Sequence, residues 1–343
     1  MMGPLFPVWL RTGHLLKMEK TTALRERYPE FLNRSKKEKM KIGTHNGVFH
    51  ADDIFGTAAL RVLYPGAEVV RSRTPALLAE CDVRIDVGGE YSPEKNTYDH
   101  HQRGGAGVRP TGVPYAGFGL IWRHFGAAIC GGQDVADTVE ETLVLGIDAV
   151  DNGYPLSTPL YEGVCGYSIS SAISAFNPSW QEEESDWDEA FERAVQVASL
   201  ILDREITRAQ GVVLARKGVR AAIDGAVDPR LIVLERFMPW QDELLSGDGT
   251  PQALFVVFPS ETGDWRLQCI PPLAGSFEKR LPLPESWAGK RADLATLTGV
   301  ADSLFCHPGR FICGAQSREG VLALAELALQ ESPILDRDTE SRR

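Results

Sequence analysis

Histidine and aspartate concentrate in three short stretches of this chain. The first is His45-Asn46-Gly47-Val48-Phe49-His50-Ala51-Asp52-Asp53, the second Asp86-Val87-Gly88-Gly89 and the third Asp99-His100-His101-Gln102-Arg103. Of the seven histidines, five lie between residues 45 and 124, and four of those five fall in the first and third stretches. Imidazole mixed with carboxylate suits Mn²⁺ or Zn²⁺ better than Ca²⁺, which takes oxygen donors. Two such ions side by side are a common device for hydrolysing phosphate esters. The residues therefore predict a metal-dependent phosphoesterase.

Each side chain has an expected role. His45, His50 and Asp52 are read as metal ligands on a loop that follows a strand, and Asp53 as the cap of the next helix or a partner of a ligand. Asp86 precedes two glycines that let backbone pass close to a ligand, and is expected to serve both ions. Burying Asp99-His100-His101 would be costly without a metal or partners. Adjacent histidines point to different places, so His100 is assigned as a ligand and His101 as a general acid or phosphate contact. Arg103 offers a bidentate clamp for a phosphate oxygen, although a surface salt bridge suits that residue equally. In Gly146-Ile-Asp148-Ala-Val-Asp151-Asn152-Gly153, Asp151 precedes a turn signal and is expected to close the site from a helix end. Asp148 is expected to orient a ligand histidine. His124, within an apolar helix, reads as a packing residue.

The elements that must carry these side chains follow an α/β pattern. Met40–Gly43 reads as a strand leading into the first stretch, and Ala51–Leu63 as a helix with one apolar face. Val83–Val87 alternates like a strand and places Asp86 near its carboxyl end, where ligands of open α/β sheets collect. Residues 115–129 and 135–151 read as helices; on the second, Asp148 and Asp151 share a face. Residues 186–219 carry a long stripe from Phe191 to Leu214, read as a connecting helix. Beyond it, 231–234, 253–258 and 265–270 look like strands, and Ser317 can cap a final helix.

The expected divisions are a tail over 1–40, a metal-binding domain over 41–185, the connecting helix over 186–220, a substrate-binding domain over 221–335 and a second tail over 336–343. At 343 residues the chain is long enough for two domains. Hydrophobic residues at 43% and charged residues at 24% are ordinary for a soluble protein. No apolar run approaches the roughly 20 residues of a membrane helix, so no membrane partner is expected. The net charge of −11 disfavours nonspecific attraction to nucleic acid. A metal pair and a few arginines can still make one cleft positive. The six cysteines form no Cys-x-x-Cys pair and read as reduced core thiols of a cytoplasmic protein. No oligomeric state follows from the sequence.

In order, His45…His50-x-Asp52, Asp86, Asp99-His100-His101 and Asp151 resemble the motifs of the DHH phosphoesterase superfamily. That group includes RecJ-type nucleases, oligoribonuclease-phosphatases and family II inorganic pyrophosphatases. Similarity is highest to the melanocyte proliferating gene family. It lies in Thr44-His45-Asn46-Gly47, Asp86 to Tyr91, Tyr98 to Gly104, Ile147 to Asn152, Pro282 to Gly289 and Phe305-Cys-His307.

The resemblance implies a DHH-type N-terminal lobe with a parallel sheet and flanking helices, a long connecting helix and a smaller α/β C-terminal lobe. It also implies a site for two metal ions, usually Mn²⁺ with Mg²⁺ or Zn²⁺ as alternatives, and a 3′→5′ RNA exonuclease acting on RNA or short oligonucleotides. Arg280, His307 and Gly314 are its candidate substrate contacts, with the helix near Ser317 presenting N–H groups to an anion. One departure is plain. Superfamily members commonly read His-x-x-x-Asp-x-Asp, whereas here His50 stands at the first acid and His45 lies one residue further away. Two other functions fit the same residues: a small-molecule nucleotide phosphohydrolase, favoured by a short closed cleft, and a noncatalytic metal-binding regulator of RNA or a partner.

Overall fold

The computed structural model describes residues 39–164, 166–182, 184–245 and 250–331. Most of the expected N-terminal tail, the 336–343 tail and Cys165 lie outside them. The chain forms two compact units divided between Gln210 and Gly211. The division falls inside a helix, rather than on either side of one as expected.

The first unit contains β1 (Lys41–Thr44), α1 (Ala51–Leu63), β2 (Glu68–Arg71), α2 (Pro75–Leu78), β3 (Val83–Ile85), β4 (Tyr91–Ser92) and β5 (Thr97–Tyr98). Their sheet runs β2-β1-β3-β5-β4. Pairings among the first four strands are parallel; only β4–β5 is antiparallel. Next come α3 (Gly117–Cys130) and one helical run made of α4 (Gln133–Val139), a wide π turn at Glu140–Val144 and α5 (Leu145–Asp151). A short α6 (Ile169–Ser174) follows. Ile42, Val83, Ile85 and Tyr98 are buried with Ile54, Phe55 and Leu60 of α1 and Phe118, Ile121 and Phe125 of α3.

Helix α7 (Trp187–Asp224) has 38 residues, about 57 Å at 1.5 Å per residue. Phe191, Ala194, Val195, Ala198, Leu202 and Ile206 enter the first core. Leu214, expected on that stripe, is exposed; Ala215 and Val219 are buried in its place.

The second unit adds β6 (Leu231–Val233), α8 (Gln241–Leu245), β7 (Phe255–Pro259), β8 (Trp265–Cys269), α9 (Ala292–Thr298), β9 (Ser303–Cys306), β10 (Ile312–Ala315) and α10 (Arg318–Gln330). Its sheet runs β6-β7-β8-β10-β9. Phe255 and Val257 face one core, with Leu324 and Ala325 of α10, while Val256 and Phe258 face another, with Trp240 and Leu244. Cover on both faces explains why β7 is an unbroken apolar run. Cys130, Cys269, Cys306 and Cys313 are buried free thiols and Cys81 is half-buried. Among the described residues, no helix is long and apolar enough to cross a membrane.

Candidate metal centre

Sheet order brings the three stretches together. β1, β3 and β5 are adjacent and parallel, and neighbouring strands lie about 4.8 Å apart. His45 follows β1, Asp86 follows β3, and Asp99-His100-His101 follow β5, so all leave the same sheet edge. α1 begins there too. Its N-cap is His50, and Asp52 and Asp53 occupy its first turn, where the helix dipole favours negative charge. Asp151 ends α5 and completes the group.

The geometry is close. His45 Nε2 lies 3.3 Å from Asp86 Oδ2 and 3.4 Å from Asp53 Oδ2. His100 Nε2 is 3.2 Å from both Asp86 Oδ1 and Asp151 Oδ2, and 4.0 Å from Asp52 Oδ2. His101 Nδ1 is 3.2 Å from Asp86 Oδ1 and 2.9 Å from Asp99 Oδ1. Three groups have donor atoms within 4.8 Å of one another: His45–His50–Asp86, Asp86–His100–His101 and His50–Asp52–Asp151. Asp86 and His50 each belong to two of them. Thus His50, at the position usually held by an acid, sits where the groups join. His101 also stands within the Asp86 and His100 group, although its expected role is as a general acid or phosphate contact.

Asp86 reaches this position in the left-handed backbone region, with φ 54°. Such a conformation costs energy for a residue with a side chain and concentrates at functional sites. Gly89 also has positive φ, and its N–H donates to Asp99. Asp99 accepts from the His101 N–H as well, at 3.0 Å. Asp53 takes the His50 N–H at 2.9 Å, closing the start of α1 while its other oxygen faces His45.

Burial makes the cluster electrostatically demanding. Asp52, Asp53, Asp86 and Asp99 are buried. Burial, with the nearby charges of Asp86 and Asp151, pushes the Asp52 carboxyl well above its usual range. Burial raises Asp53 to about 7 against the opposing pull of His45. Burial would raise Asp86 too, but contact with His100, His101 and His45 holds it below the ordinary carboxylate range. For His100 burial works downward, yet Asp151 and Asp86 raise it to about 10. His101 rises to about 9, chiefly through Asp86. The protein alone thus needs extra protons to balance the carboxylates. Asp52 Oδ1, Asp53 Oδ2, Asp86 Oδ1 and His100 Nε2 are buried without a hydrogen-bond partner. Unsatisfied buried oxygens and nitrogens aimed at one another are the donor set a divalent cation requires, so these residues fit a metal centre.

The other residues named from the sequence have these surroundings. Asp148 orients no histidine. It pairs with Arg109 Nη2 at 2.8 Å and accepts the Gly119 N–H at 3.0 Å, because its place on α5 faces α3 and the loop carrying Arg109. His124 bonds the Tyr91 hydroxyl at 2.7 Å and packs on Tyr98. Arg103 is exposed on the loop after β5. In the second unit, Arg280 Nη1 donates to the carbonyls of Thr250 and Ala253. The His307 ring accepts the Gly309 N–H and packs on Phe311. Gly314 lies in the ladder between β8 and β9, not in an open nest. The start of α10 is closed by its own chain: Ser317 caps Gly320, and Asp302 takes the Ser317 N–H.

Several supporting groups gave no local signal. The Gly117 N–H donates to Asp52 at 3.2 Å, and a Cβ there would come 3.0 Å from that carboxylate. Asn177 grips both the N–H and carbonyl of Phe49 at 2.9 Å, fixing the His45–His50 loop from 128 residues away.

The family model described as "Uncharacterised protein family (UPF0160)", for MYG1 exonucleases, matches residues 41–329. The chain belongs to that family. It is 35% identical over 333 residues to "MYG1 exonuclease" of Homo sapiens, covering 86% of this chain and 87% of that protein. It is 34% identical over 303 residues to a MYG1 protein of Chlamydia pneumoniae, covering 86% and 98%. RecJ with Mn²⁺ from Thermus thermophilus matches over 92% of this chain and 55% of RecJ at 16% identity, with a TM-score of 0.24. The clusters that define the centre lie within the matched region.

Proposed function

We propose that this MYG1-family protein is a metal-dependent phosphodiesterase acting as a 3′→5′ RNA exonuclease, with two Mn²⁺ ions held by His45, His50, Asp52, Asp86, His100 and Asp151. The observation that carries this reading is Asp86, shared by two groups of potential ligands and holding a buried, unsatisfied oxygen. The name of the human relative supports the activity. When bound, a divalent pair supplies an activated water and charge stabilisation for phosphate-ester hydrolysis.

The chain's own residues then have distinct tasks. Asp53 orients His45 through its second oxygen. Asp99 fixes the His101 ring, and that ring is 62% exposed on its side chain, so it can give a proton to a departing oxygen. Asp86 holds the groups on either side in register.

End-labelled RNA and DNA of one sequence, together with a circular RNA, test the proposal in Mn²⁺, Mg²⁺ and Zn²⁺. Mononucleotides should appear first from the 3′ end of RNA. Rapid cutting of the circle would rule out an exonuclease.

A further inference from the structure

His50 and His101 each line two cavities, so a phosphate held there has space on either side. The cavities differ in chemistry. One, of about 900 Å³, is walled by hydroxyl and amide groups including Ser168, Ser171 and Asn152. The other, of about 540 Å³, contains His45, Asp86 and two arginines, Arg73 and Arg84.

These arginines are unlike their neighbours. Arg61 is paired with Glu192, Arg71 with Asp188, and Arg109 with Glu140 and Asp148. Arg73 instead donates to the carbonyl and side-chain oxygen of Asn46, and Arg84 to the carbonyl of Lys95 at 3.0 Å. These acceptors are neutral, so among the described residues neither guanidinium is neutralised by a carboxylate. Arg84 Nε is buried and has no partner. Glu90, on the same wall, is balanced by Lys95 at 2.7 Å. Pro75, Leu78 and Val87 supply an apolar side. Two guanidinium forks with no carboxylate partner among the described residues, beside an apolar wall, suit a phosphate attached to a nucleoside, and the volume lies in the usual range for small-ligand sites, roughly 300–1,000 Å³.

We infer that this cavity binds a second phosphate group of the substrate, adjacent to the one that is cleaved, through Arg73 and Arg84. The inference rests on the phosphodiesterase reading of the neighbouring cluster. The second phosphate has two sources, an internucleotide linkage or a terminal phosphate; both present the same oxygens.

The test uses the full-length metal-loaded protein. Its kcat/KM is compared on a dinucleoside monophosphate, the same compound with a terminal phosphate, and a trinucleoside diphosphate. A second phosphate should raise kcat/KM at least about tenfold, the effect of about 1.4 kcal/mol. The double variant Arg73→Ala/Arg84→Ala should bring that ratio near one, and Arg73→Lys/Arg84→Lys should keep part of it. Gain from the terminal phosphate alone or from the internucleotide phosphate alone identifies the source, and either supports the site. Cleavage of all three at equal rates, or a ratio unchanged in the double alanine variant, overturns the site while leaving the hydrolase reading intact. If no phosphodiester is cleaved, the hydrolase reading fails and calorimetry decides the site separately. A nucleoside 3′,5′-bisphosphate should then bind the wild type more tightly than a 5′-monophosphate does, with the preference lost in the double variant. Equal binding by the wild type overturns it. Melting curves establish that each variant is folded.

Discussion

At the scale of the residue, Asp86 combines three properties that rarely coincide: a left-handed backbone, near-complete burial and contact with three imidazoles. Asparagine tolerates that backbone conformation, so Asp86→Asn should fold while losing the charge that serves both ligand groups. Turnover should fall by at least about 10²–10³, the scale of losing one preorganised electrostatic contact, with the melting curve of the metal-free protein retained. A fully active variant would remove Asp86 from the centre. The titrating groups make a second prediction. Asp52 and Asp53 are raised, so their contribution favours folding at low pH and is lost as pH climbs through about 7 for Asp53. His45, His100 and His101 are also raised. Their contribution is present below about 6.5 and is lost as pH rises through about 9 for His101 and about 10 for His100. Within the cluster Asp86 runs the other way, and its contribution is lost only in acid below its ordinary range. The metal-free protein should therefore become less stable from about pH 5 to about pH 9. A bound cation takes the place of the protons, so Mn²⁺ should flatten or reverse the slope. Melting temperatures across that range, with and without Mn²⁺, check this; a metal-free protein that gains stability with pH would contradict it.

At the scale of the element, the centre depends on how helices lean on the sheet edge. Arg109 joins its own loop, through the Pro114 carbonyl, to Glu140 at the π turn and to Asp148 on α5. Removing one member of a buried ion pair strands the other, so Arg109→Ala should cost about 3–5 kcal/mol in urea unfolding. Adding Asp148→Asn should recover part of that loss. A cost under about 1 kcal/mol would show that the pair carries little. Long elements were legible in the sequence because they repeat their apolar period: Ala51–Leu63 appears at the expected bounds, and α7 extends only a few residues past them. β1, β3 and β6 were legible from their apolar residues, whereas β2, β4, β5, β9 and β10, of two to four residues, are too short to show alternation. The site stretches stood out by residue type, and the order of β1, β3 and β5 explains their convergence. Arg109, Asn177 and Gly117 did not, because their partners are fixed by packing between distant segments. The role expected for Asp148 failed for the same reason: its neighbour across the helices is an arginine, not a histidine.

At the scale of the whole molecule, each unit has its own sheet and core, and the ligand groups belong entirely to the first. Metal removal should therefore act locally. Hydrogen exchange in the stripped protein should rise at residues 45–53, 86–101 and 148–152, while the strands of the second unit keep their protection. Equal loosening of both units would contradict that locality. The central claim, that this cluster hydrolyses phosphodiesters through bound metal, is tested most directly by stripping and restoring the ions. The stripped protein, the same sample reloaded with Mn²⁺ and a Mn²⁺-treated Asp86→Asn variant are given one short 3′-labelled RNA, and bound metal is quantified in each. Only the reloaded wild type should release mononucleotides, with about two Mn²⁺ per chain. Undiminished hydrolysis by the stripped protein, or full metal content in the wild type with no cleavage of any phosphodiester, would contradict the claim.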